Sequence, residues 1–255
     1  MEFNLFLPQM RMSFDDLVGR ARAAEAAGFV GLTGMDHLAP PLALEQPMFE
    51  AVVTATWLAA HTERLNLGSL VLCDAFRLPA VLARQAVSID HASGGRYELG
   101  IGAGSVPDEL VTFGAGSTEP RARVARLRET LEVVRALWSG DVVDYAGDYH
   151  RLVGARQVPA PLGHIPIVIG GKGPKMLALV PRGADREAVA AQVKRRFGWS
   201  RPVIGTSTEL VDHYGRLAAR GIERVYTWFC DFAPPETLAE FGEEVIAPLG
   251  PSNGR

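Results

Sequence analysis

The sequence has few of the features that would assign it to a specialised class of protein. It contains only two cysteines, Cys73 and Cys230, and no C-x-x-C pair or His/Cys cluster. This scarcity argues against a disulfide framework or a zinc site and is typical of reduced thiols in the cytoplasm. No apolar run reaches the roughly eighteen residues that span a bilayer, and the N-terminus lacks the basic segment of a secretory signal. We therefore expect a cytoplasmic protein without a membrane-spanning segment.

The sequence also lacks an excess of charge of either sign. Its 26 basic and 29 acidic residues give a formal net charge of -3. Nucleic acids and anionic membranes attract strongly basic surfaces, so neither is an expected partner. The six histidines are dispersed, and no metal site is predicted. The hydrophobic share of 47% is enough for one sizeable core, and we expect a single domain over residues 1–250 with a disordered tail at 251–255.

What the sequence does contain is a regular alternation of short apolar runs and amphipathic stretches. The apolar runs predict strands at residues 2–7, 29–34, 64–72, 96–101, 165–169 and 223–229, with a strand stub at 203–205. The amphipathic stretches predict helices at residues 13–27, 48–61, 80–92, 121–138, 187–197 and 208–219. Such alternation with short connections indicates parallel strands crossed over by helices. Periodicity alone leaves open whether the sheet is a closed barrel or an open sheet.

Two segments depart from this alternation. Residues 142–152 predict a small antiparallel hairpin around Ala146-Gly147-Asp148. Residues 170–222 are too few for two further strand–helix units and a last helix, since each βαβ unit takes about 30 residues. Nothing between Met176 and Ser200 predicts a buried strand. We therefore expect one or two strands to be missing after the fifth.

Two glycine-rich segments follow predicted strands and are candidate ligand sites. Gly102-Ala103-Gly104 comes directly after the strand at 96–101, at the end of a parallel strand where ligands bind. The segment Gly170-Gly171-Lys172-Gly173 precedes a predicted helix that begins near Pro174. Free N–H groups at a helix start, the helix dipole and the charge of Lys172 together favour a phosphate group.

Several segments resemble the bacterial-luciferase-like monooxygenase family, and within it the branch that uses the deazaflavin coenzyme F420. The resemblance follows the family's order and is carried by the first strand ending in Leu7-Pro8 and by residues 24–37, 62–72, 76–104, 145–152, 159–177 and 204–226. It implies a TIM-barrel-like (β/α)8 fold of the luciferase-like type with a hairpin inserted after strand four. Because the family's segment after the glycine loop is shortened here, the barrel is expected to be incomplete. The non-fluorescent flavoprotein of the family is a precedent for a shortened barrel.

The resemblance also implies roles for residues at the strand ends. In the family, a histidine in the position of His37 lies beside the flavin-type ring, where it stabilises the reduced ring or moves a proton. Asp36 is expected to orient that imidazole, and capping of the following loop is the alternative role for both residues. Leu70 and Val71 match a non-prolyl cis peptide that backs the ring. Glu109 matches a frequent acidic position that faces the pocket.

The two glycine-rich segments supply the remaining expected coenzyme contacts. These contacts are close backbone approach at Ala103 and Gly104, and phosphate binding at Gly170, Gly171, Lys172 and Gly173. Ser105 stands where the sugar-phosphate dehydrogenases of the family carry a glutamate that acts as an acid. This departure argues against that particular activity.

The sequence therefore predicts an oxidoreductase that passes a hydride between coenzyme F420 and a small organic substrate. One alternative is an FMN-dependent monooxygenase of the same fold. The other is a non-catalytic flavin-binding protein, because a shortened barrel lacks loops that normally wall the substrate pocket. The resemblance and the apolar faces of the second and third helices predict a homodimer. Loops 35–47 and 105–120 predict a largely apolar pocket.

Overall fold

A computed structural model describes residues 1–41, 43–170, 176–179, 186–197 and 202–250. Its strands are β1 (Glu2–Phe6), β2 (Gly31–Gly34), β3 (Asn66–Ser69), β4 (Leu72–Cys73), β5 (Tyr97–Gly102), β6 (Val142–Ala146), β7 (Arg151–Arg156), β8 (Ile167–Ile169), β9 (Met176–Leu179), β10 (Val203–Gly205) and β11 (Arg224–Phe229). Its α-helices are α1 (Phe14–Ala26), α2 (Ala51–Ala59), α3 (Pro79–Ser93), α4 (Pro107–Thr112), α5 (Pro120–Trp138), α6 (Arg186–Phe197), α7 (Ser207–Ala218) and α8 (Pro235–Phe241). Within these ranges no helix combines the length and the apolar composition that a bilayer crossing requires.

All strands except β6 and β7 belong to one parallel sheet. The order is β10-β9-β11-β1-β2-β3-β5-β8. Strand β4 follows β3 in the chain and pairs with the same edge of β5, further towards its carboxyl end. Among the described residues no pairing joins β8 to β10, so the sheet is not closed, in agreement with the predicted incomplete barrel. The expectation that one or two strands are missing after the fifth is wrong, because β9, β10 and β11 all follow β8. A barrel in which every strand lies beside its neighbour in the chain would run β8-β9-β10-β11, whereas β9 and β10 are exchanged here.

The sequence analysis misses three elements. The expectation that no strand lies between Met176 and Ser200 is wrong, because Met176–Leu179 forms β9. A four-residue apolar run has too little periodicity to distinguish a strand from part of a helix. The short helices α4 and α8 are also not predicted, although each has a proline in its first turn. The predicted tail at 251–255 lies outside the described residues.

The boundaries of the first and third helices follow from local chemistry. At the start of α1, Ser13 Oγ accepts from the Asp16 N–H at 3.1 Å, and the Asp16 carboxylate accepts from the Ser13 N–H at 2.9 Å. These reciprocal bonds form a capping box. Helix α3 ends at Gly94, whose φ of 66° lies in the left-handed region that glycine adopts without steric cost. The chain then turns directly into β5.

The two faces of the sheet have different roles. Phe3 and Leu5 of β1 and Leu99 of β5 belong to the buried core between the strands and the helices. Because side chains alternate along a strand, the residues between them face the interior of the curved sheet. Many of these interior positions are glycines, namely Gly31, Gly68, Gly100 and Gly102. These glycines leave room for longer side chains in the interior, among them Asn4 of β1 and Glu98 of β5.

The predicted hairpin is present as β6 and β7, and its turn docks on α5 chiefly through the carboxylate of Glu129. Glu129 accepts hydrogen bonds from the N–H groups of Asp148, Tyr149 and His150, at 2.9, 2.9 and 3.1 Å. These three residues form the turn of the hairpin. Glu129 therefore fixes the turn against the helix.

We expect Glu129→Gln to weaken the acid sensitivity of folding. Burial opposes the charge of Glu129, but the three backbone hydrogen bonds outweigh it and lower the pKa of the carboxyl below its ordinary value of 4.5. A lowered pKa in the folded state contributes stability that is present above the unfolded-state pKa and is lost as pH falls through the folded-state pKa. The variant should be less stable than wild type at pH 7, and the gap should close below pH 4.5, as measured by urea unfolding. The exposed Glu45→Gln is the control, and parallel pH profiles for Glu129→Gln and wild type would refute the expectation.

Candidate functional site

The carboxyl ends of neighbouring strands bring the predicted site residues together. Gly34 at the end of β2 pairs with Ser69 at the end of β3, and Cys73 of β4 pairs with Gly102 at the end of β5. His37 follows three residues after β2. In parallel α/β folds this is the end of the sheet where ligands bind.

His37 is held by Glu109 from the first turn of α4. The Nδ1 atom of His37 lies 2.8 Å from Oε2 of Glu109, and both side chains are largely shielded from solvent. The other carboxylate oxygen, Oε1, accepts from the N–H groups of Leu38 and Ala39 at 2.6 and 3.3 Å. Because an ionised carboxylate only accepts, Nδ1 donates its proton to Glu109, which leaves Nε2 as the nitrogen that can exchange a proton with a ligand. Within the described residues Nε2 has no hydrogen-bond partner.

Asp36 has a different partner from the one the sequence predicts. Its carboxylate accepts two hydrogen bonds from Arg77, at 2.5 and 2.9 Å, and one from the Cys73 N–H at 2.6 Å. The expectation that Asp36 orients the His37 ring is therefore wrong. The planar guanidinium occupies both carboxylate oxygens, and a bidentate pair of this kind is stronger than a bond to a neutral ring. The orienting carboxylate comes from α4 instead.

Arginine side chains that the sequence analysis did not single out hold this end of the sheet. Arg77 also donates to Glu50 at 2.5 Å; burial opposes its charge, but the two carboxylates outweigh burial and raise the pKa of the guanidinium. From α5, Arg126 binds Asp74, and Arg123 donates to the carbonyl of Gly104 at 2.7 Å. Arg123 and Arg126 are three residues apart and therefore lie on one face of α5. This spacing was the feature of the sequence that could have predicted their shared role.

The peptide bond between Leu70 and Val71 is cis, which confirms the geometry expected at this position. It lies between β3 and β4, and the Val71 side chain packs against glycines of the sheet interior. A Cβ atom would lie 2.8 Å from Val71 Cγ2 if built on Gly102, and 2.5 Å from it if built on Gly170. The glycines thus make room for Val71. Together they form a small apolar surface at the carboxyl end of the sheet.

We expect Gly102→Ala to destabilise the fold by about 1–3 kcal/mol, the usual cost of overpacking a tight site. The new methyl group would lie 2.8 Å from Val71 Cγ2, closer than carbon atoms pack. In the double variant Gly102→Ala/Val71→Ala the clashing atoms are gone, so the two changes should be less harmful together than the sum of the single variants. Urea unfolding of the two single variants and the double variant measures this coupling. Simple additivity would show that the contact is not the cause.

The other predicted coenzyme contacts are only partly described. Ala103 and Gly104 follow β5 directly, and Gly104 adopts a φ of 85°. Gly170 donates to the carbonyl of Ile101 at 2.9 Å, which extends the pairing of β8 with β5. The predicted phosphate residues Gly171, Lys172 and Gly173 lie outside the described residues.

A curved parallel sheet flanked by helices, with ionisable side chains at the carboxyl ends of its strands, defines a TIM-barrel-like α/β protein. A family model described as luciferase-like monooxygenase matches residues 1–202. The chain belongs to this family, which confirms the resemblance found in the sequence.

Curated relatives in the family carry the name F420-dependent glucose-6-phosphate dehydrogenase. The protein from Nocardia farcinica is 38% identical over 175 residues, which are 67% of this chain and 51% of the relative. The protein from Mycobacterium tuberculosis has the same identity and coverage. The chain spans about half the length of the curated relatives it matches.

Solved structures show the same fold over nearly the whole chain. EDTA monooxygenase from Chelativorans sp. BNC1 superposes with a TM-score of 0.83 at 14% identity, covering 98% of this chain and 93% of its own. Monooxygenase RslO1 from Streptomyces bottropensis superposes with a TM-score of 0.80 at 18% identity, covering 97% and 99%. An F420-dependent secondary alcohol dehydrogenase superposes with a TM-score of 0.78 at 16% identity, covering 96% and 98%. Identities this low establish the fold alone.

Proposed function

We propose that this chain is an oxidoreductase that transfers a hydride between coenzyme F420 and a small organic substrate. The observation that carries the proposal is the His37–Glu109 pair at the ligand-binding end of the sheet. The Nδ1 atom of His37 is hydrogen-bonded to Glu109, and its Nε2 atom has no hydrogen-bond partner among the described residues. The names of the curated relatives support the choice of coenzyme. Bound F420 would accept or donate the hydride at its deazaflavin ring.

The residues at the strand ends suit a flat ring with a phosphate-bearing tail. Val71 is partly exposed and packs over the backbone of Gly102 and Gly170, so it offers an apolar side chain against which the ring would lie. Gly104 and Ala103 present backbone beside it. The sequence-based assignment of the coenzyme phosphate to residues 170–173 completes the proposed site.

The free nitrogen of His37 has the geometry of a proton carrier. We assign Nε2 the role of taking a proton from a substrate hydroxyl during oxidation and returning it during reduction of a carbonyl. Glu109 keeps the proton on Nδ1, so only Nε2 is available to the substrate. The Glu109 carboxylate already receives three donors, which makes it a positioning residue and not a second acid.

The surroundings of this pair favour an uncharged, apolar alcohol or ketone over a sugar phosphate. Leu38, next to His37, and Phe113, one helical turn beyond Glu109, are both exposed. Ser105 is also exposed and cannot act as the acid that its counterpart glutamate provides in the sugar-phosphate dehydrogenases. We expect glucose 6-phosphate to be a poor substrate compared with small secondary alcohols.

The experiment that tests the proposal is a pair of fluorescence titrations of the purified chain, one with F420 and one with FMN. Binding of F420, weakened in Gly171→Asp, followed by F420 reduction with a secondary alcohol, is the expected result. Binding of FMN alone would overturn the proposal in favour of oxygen-activating chemistry or flavin storage. Binding of F420 without turnover by any alcohol would favour a non-catalytic coenzyme-binding protein. The lack of a pairing between β8 and β10 among the described residues is the structural observation that favours this alternative. Gly163→Asp is the matched control for Gly171→Asp, because Gly163 is exposed and a Cβ built there meets no other atom within 4 Å.

We also propose that the active form is a homodimer joined through α2 and α3. The outward face of α2 exposes Val53 and Trp57 to 60% and 47%, and α3 exposes Val81 beside it. A second copy of the same face is the partner that such apolar side chains fit. Trp57→Asp should convert the dimer to a monomer in sedimentation velocity. Val153→Asp, at a still more exposed apolar position on the hairpin, should leave the dimer intact, and a monomeric wild type would refute the proposal.

The cytoplasm is the proposed location. Cys73 and Cys230 are both free thiols in the structure. Burial raises the pKa of Cys73 to about 11 and that of Cys230 to about 12, so both stay protonated near neutral pH. Unreactive free thiols are compatible with the reducing conditions of the cytoplasm.

A further inference from the structure

An ion pair crosses the interior of the curved sheet near its amino-terminal end. Arg224 of β11 donates from Nη1 to both carboxylate oxygens of Glu98 of β5, at 2.9 and 3.1 Å. From Nε, Arg224 also donates to Glu2 of β1 at 2.7 Å. Glu2 is the direct register neighbour of Arg224 on the adjacent strand, whereas Glu98 lies on a distant strand.

The distance between those strands along the sheet shows what the contact requires. Strands β1, β2 and β3 separate β11 from β5. Adjacent strands lie about 4.8 Å apart, so four steps across a flat sheet amount to about 19 Å. Extended arginine and glutamate side chains do not bridge that distance. The contact between Arg224 and Glu98 therefore exists only because the sheet curls until β5 faces β11.

In a closed barrel, strand pairing around the full circle fixes this curvature. Among the described residues no pairing closes the sheet between β8 and β10, so contacts across the interior can hold the curl together with the helices packed outside. Glu98 is buried, and the charge it carries there is compensated by Arg224. A Cβ on Gly68 would lie 2.5 Å from the Glu98 carbonyl oxygen, which shows how closely this part of β5 is fitted against β3.

We propose that Arg224 and Glu98 are positioning residues, whose ion pair across the interior holds β5 and β8 against the opposite side of the open sheet. The coenzyme site proposed above depends on the place of β5. Gly104 follows β5 directly, Glu109 stands on the next helix, and Gly170 is hydrogen-bonded to β5. Uncurling the sheet would separate these groups from His37 on β2. The effect on the coenzyme rests on the proposed function, whereas the effect on the sheet does not.

The test compares Glu98→Gln with Glu2→Gln. Both variants remove a carboxylate that contacts Arg224, but only Glu98 reaches it across the interior, so Glu2→Gln is a matched control. Hydrogen exchange of the coenzyme-free protein, read by mass spectrometry, should speed up at least about tenfold in β5 and β8 for Glu98→Gln, the scale of losing a hydrogen bond to a charged group. For Glu2→Gln those strands should change less than about twofold. Equal exchange in the two variants would overturn the proposal.

A second measurement asks whether the ion pair positions the site. Under conditions where both variants are folded by circular dichroism, Glu98→Gln should raise the dissociation constant for F420 at least about tenfold, and Glu2→Gln should not. Glu98→Asp keeps the charge but shortens the reach, so it should behave like Glu98→Gln. Faster exchange with an unchanged dissociation constant would overturn the positioning role. If wild type does not bind F420, the proposed function fails, and the exchange measurement still decides whether the ion pair holds the sheet.

Discussion

Replacing His37 with Asn lowers the turnover number of the proposed hydride transfer by about 10²- to 10⁴-fold, the range that a positioned acid or base contributes. The asparagine amide has no titratable nitrogen to exchange a proton with the substrate. The Glu109 carboxylate, which His37 meets at 2.8 Å, keeps its two backbone donors, so the loop keeps its place. Steady-state rates with F420 and a secondary alcohol, together with the F420 dissociation constant, measure the effect. The dissociation constant should change little.

Two further variants define what the histidine does. Glu109→Gln keeps an acceptor for Nδ1 but removes the charge, and we expect a smaller loss of turnover, about 10- to 100-fold, as for other residues that orient a catalytic group. His164→Asn, at an exposed position, should turn over like wild type. Full activity in His37→Asn would exclude His37 as the proton carrier.

Replacing Arg77 with Leu destabilises the protein by about 3–5 kcal/mol, the usual cost of removing one partner of a buried ion pair. The side chains of Arg77 and Asp36 are only 10% and 3% exposed, so Asp36 would be left as an uncompensated buried charge. The leucine cannot replace the two hydrogen bonds that the guanidinium donates to it. Urea unfolding at pH 7 measures the loss.

The double variant Arg77→Leu/Asp36→Asn separates charge from packing. It removes the orphaned charge, so we expect it to recover part of the stability that Arg77→Leu loses. Arg128→Ala is the surface control, because Arg128 is 81% exposed and its pair with Glu132 should contribute no more than about 0.5 kcal/mol. A loss in Arg77→Leu as small as that of Arg128→Ala would contradict the argument.

The open edge of the sheet has a direct consequence for the site. The residues assigned to the coenzyme follow the carboxyl ends of β2, β3, β5 and β8, and β8 is an edge strand within the described part of the chain. Its place depends on its hydrogen bonds to β5, including the one from Gly170 to Ile101. The Arg224–Glu98 pair fixes the amino-terminal end of β5, and the His37–Glu109 pair joins the loop after β2 to α4, which follows β5. The position of β5 therefore determines the geometry of most of the proposed site.

Sequence reasoning succeeded where the cause is local. The helix predicted at 13–27 is confirmed as α1, whose capping box joins Ser13 and Asp16 within one helical turn. The helix predicted at 80–92 is confirmed as α3, which ends at the glycine Gly94. The position of the cis peptide at Leu70 and Val71 came from family resemblance, and the structure confirms it. Short apolar runs such as 176–179 carry too little pattern, and β9 was missed.

The sequence by itself determined the strand and helix alternation, the family and most of the residues placed at the strand ends. Only the tertiary structure decided how those residues pair. Asp36 pairs with Arg77, His37 with Glu109, and Glu98 with Arg224. The partners are 41, 72 and 126 residues apart in the chain. Any carboxylate in the sequence is chemically suited to accept a hydrogen bond from any of these arginine and histidine side chains. The curvature of the sheet selects among them, because it decides which side chains come within 3 Å of each other.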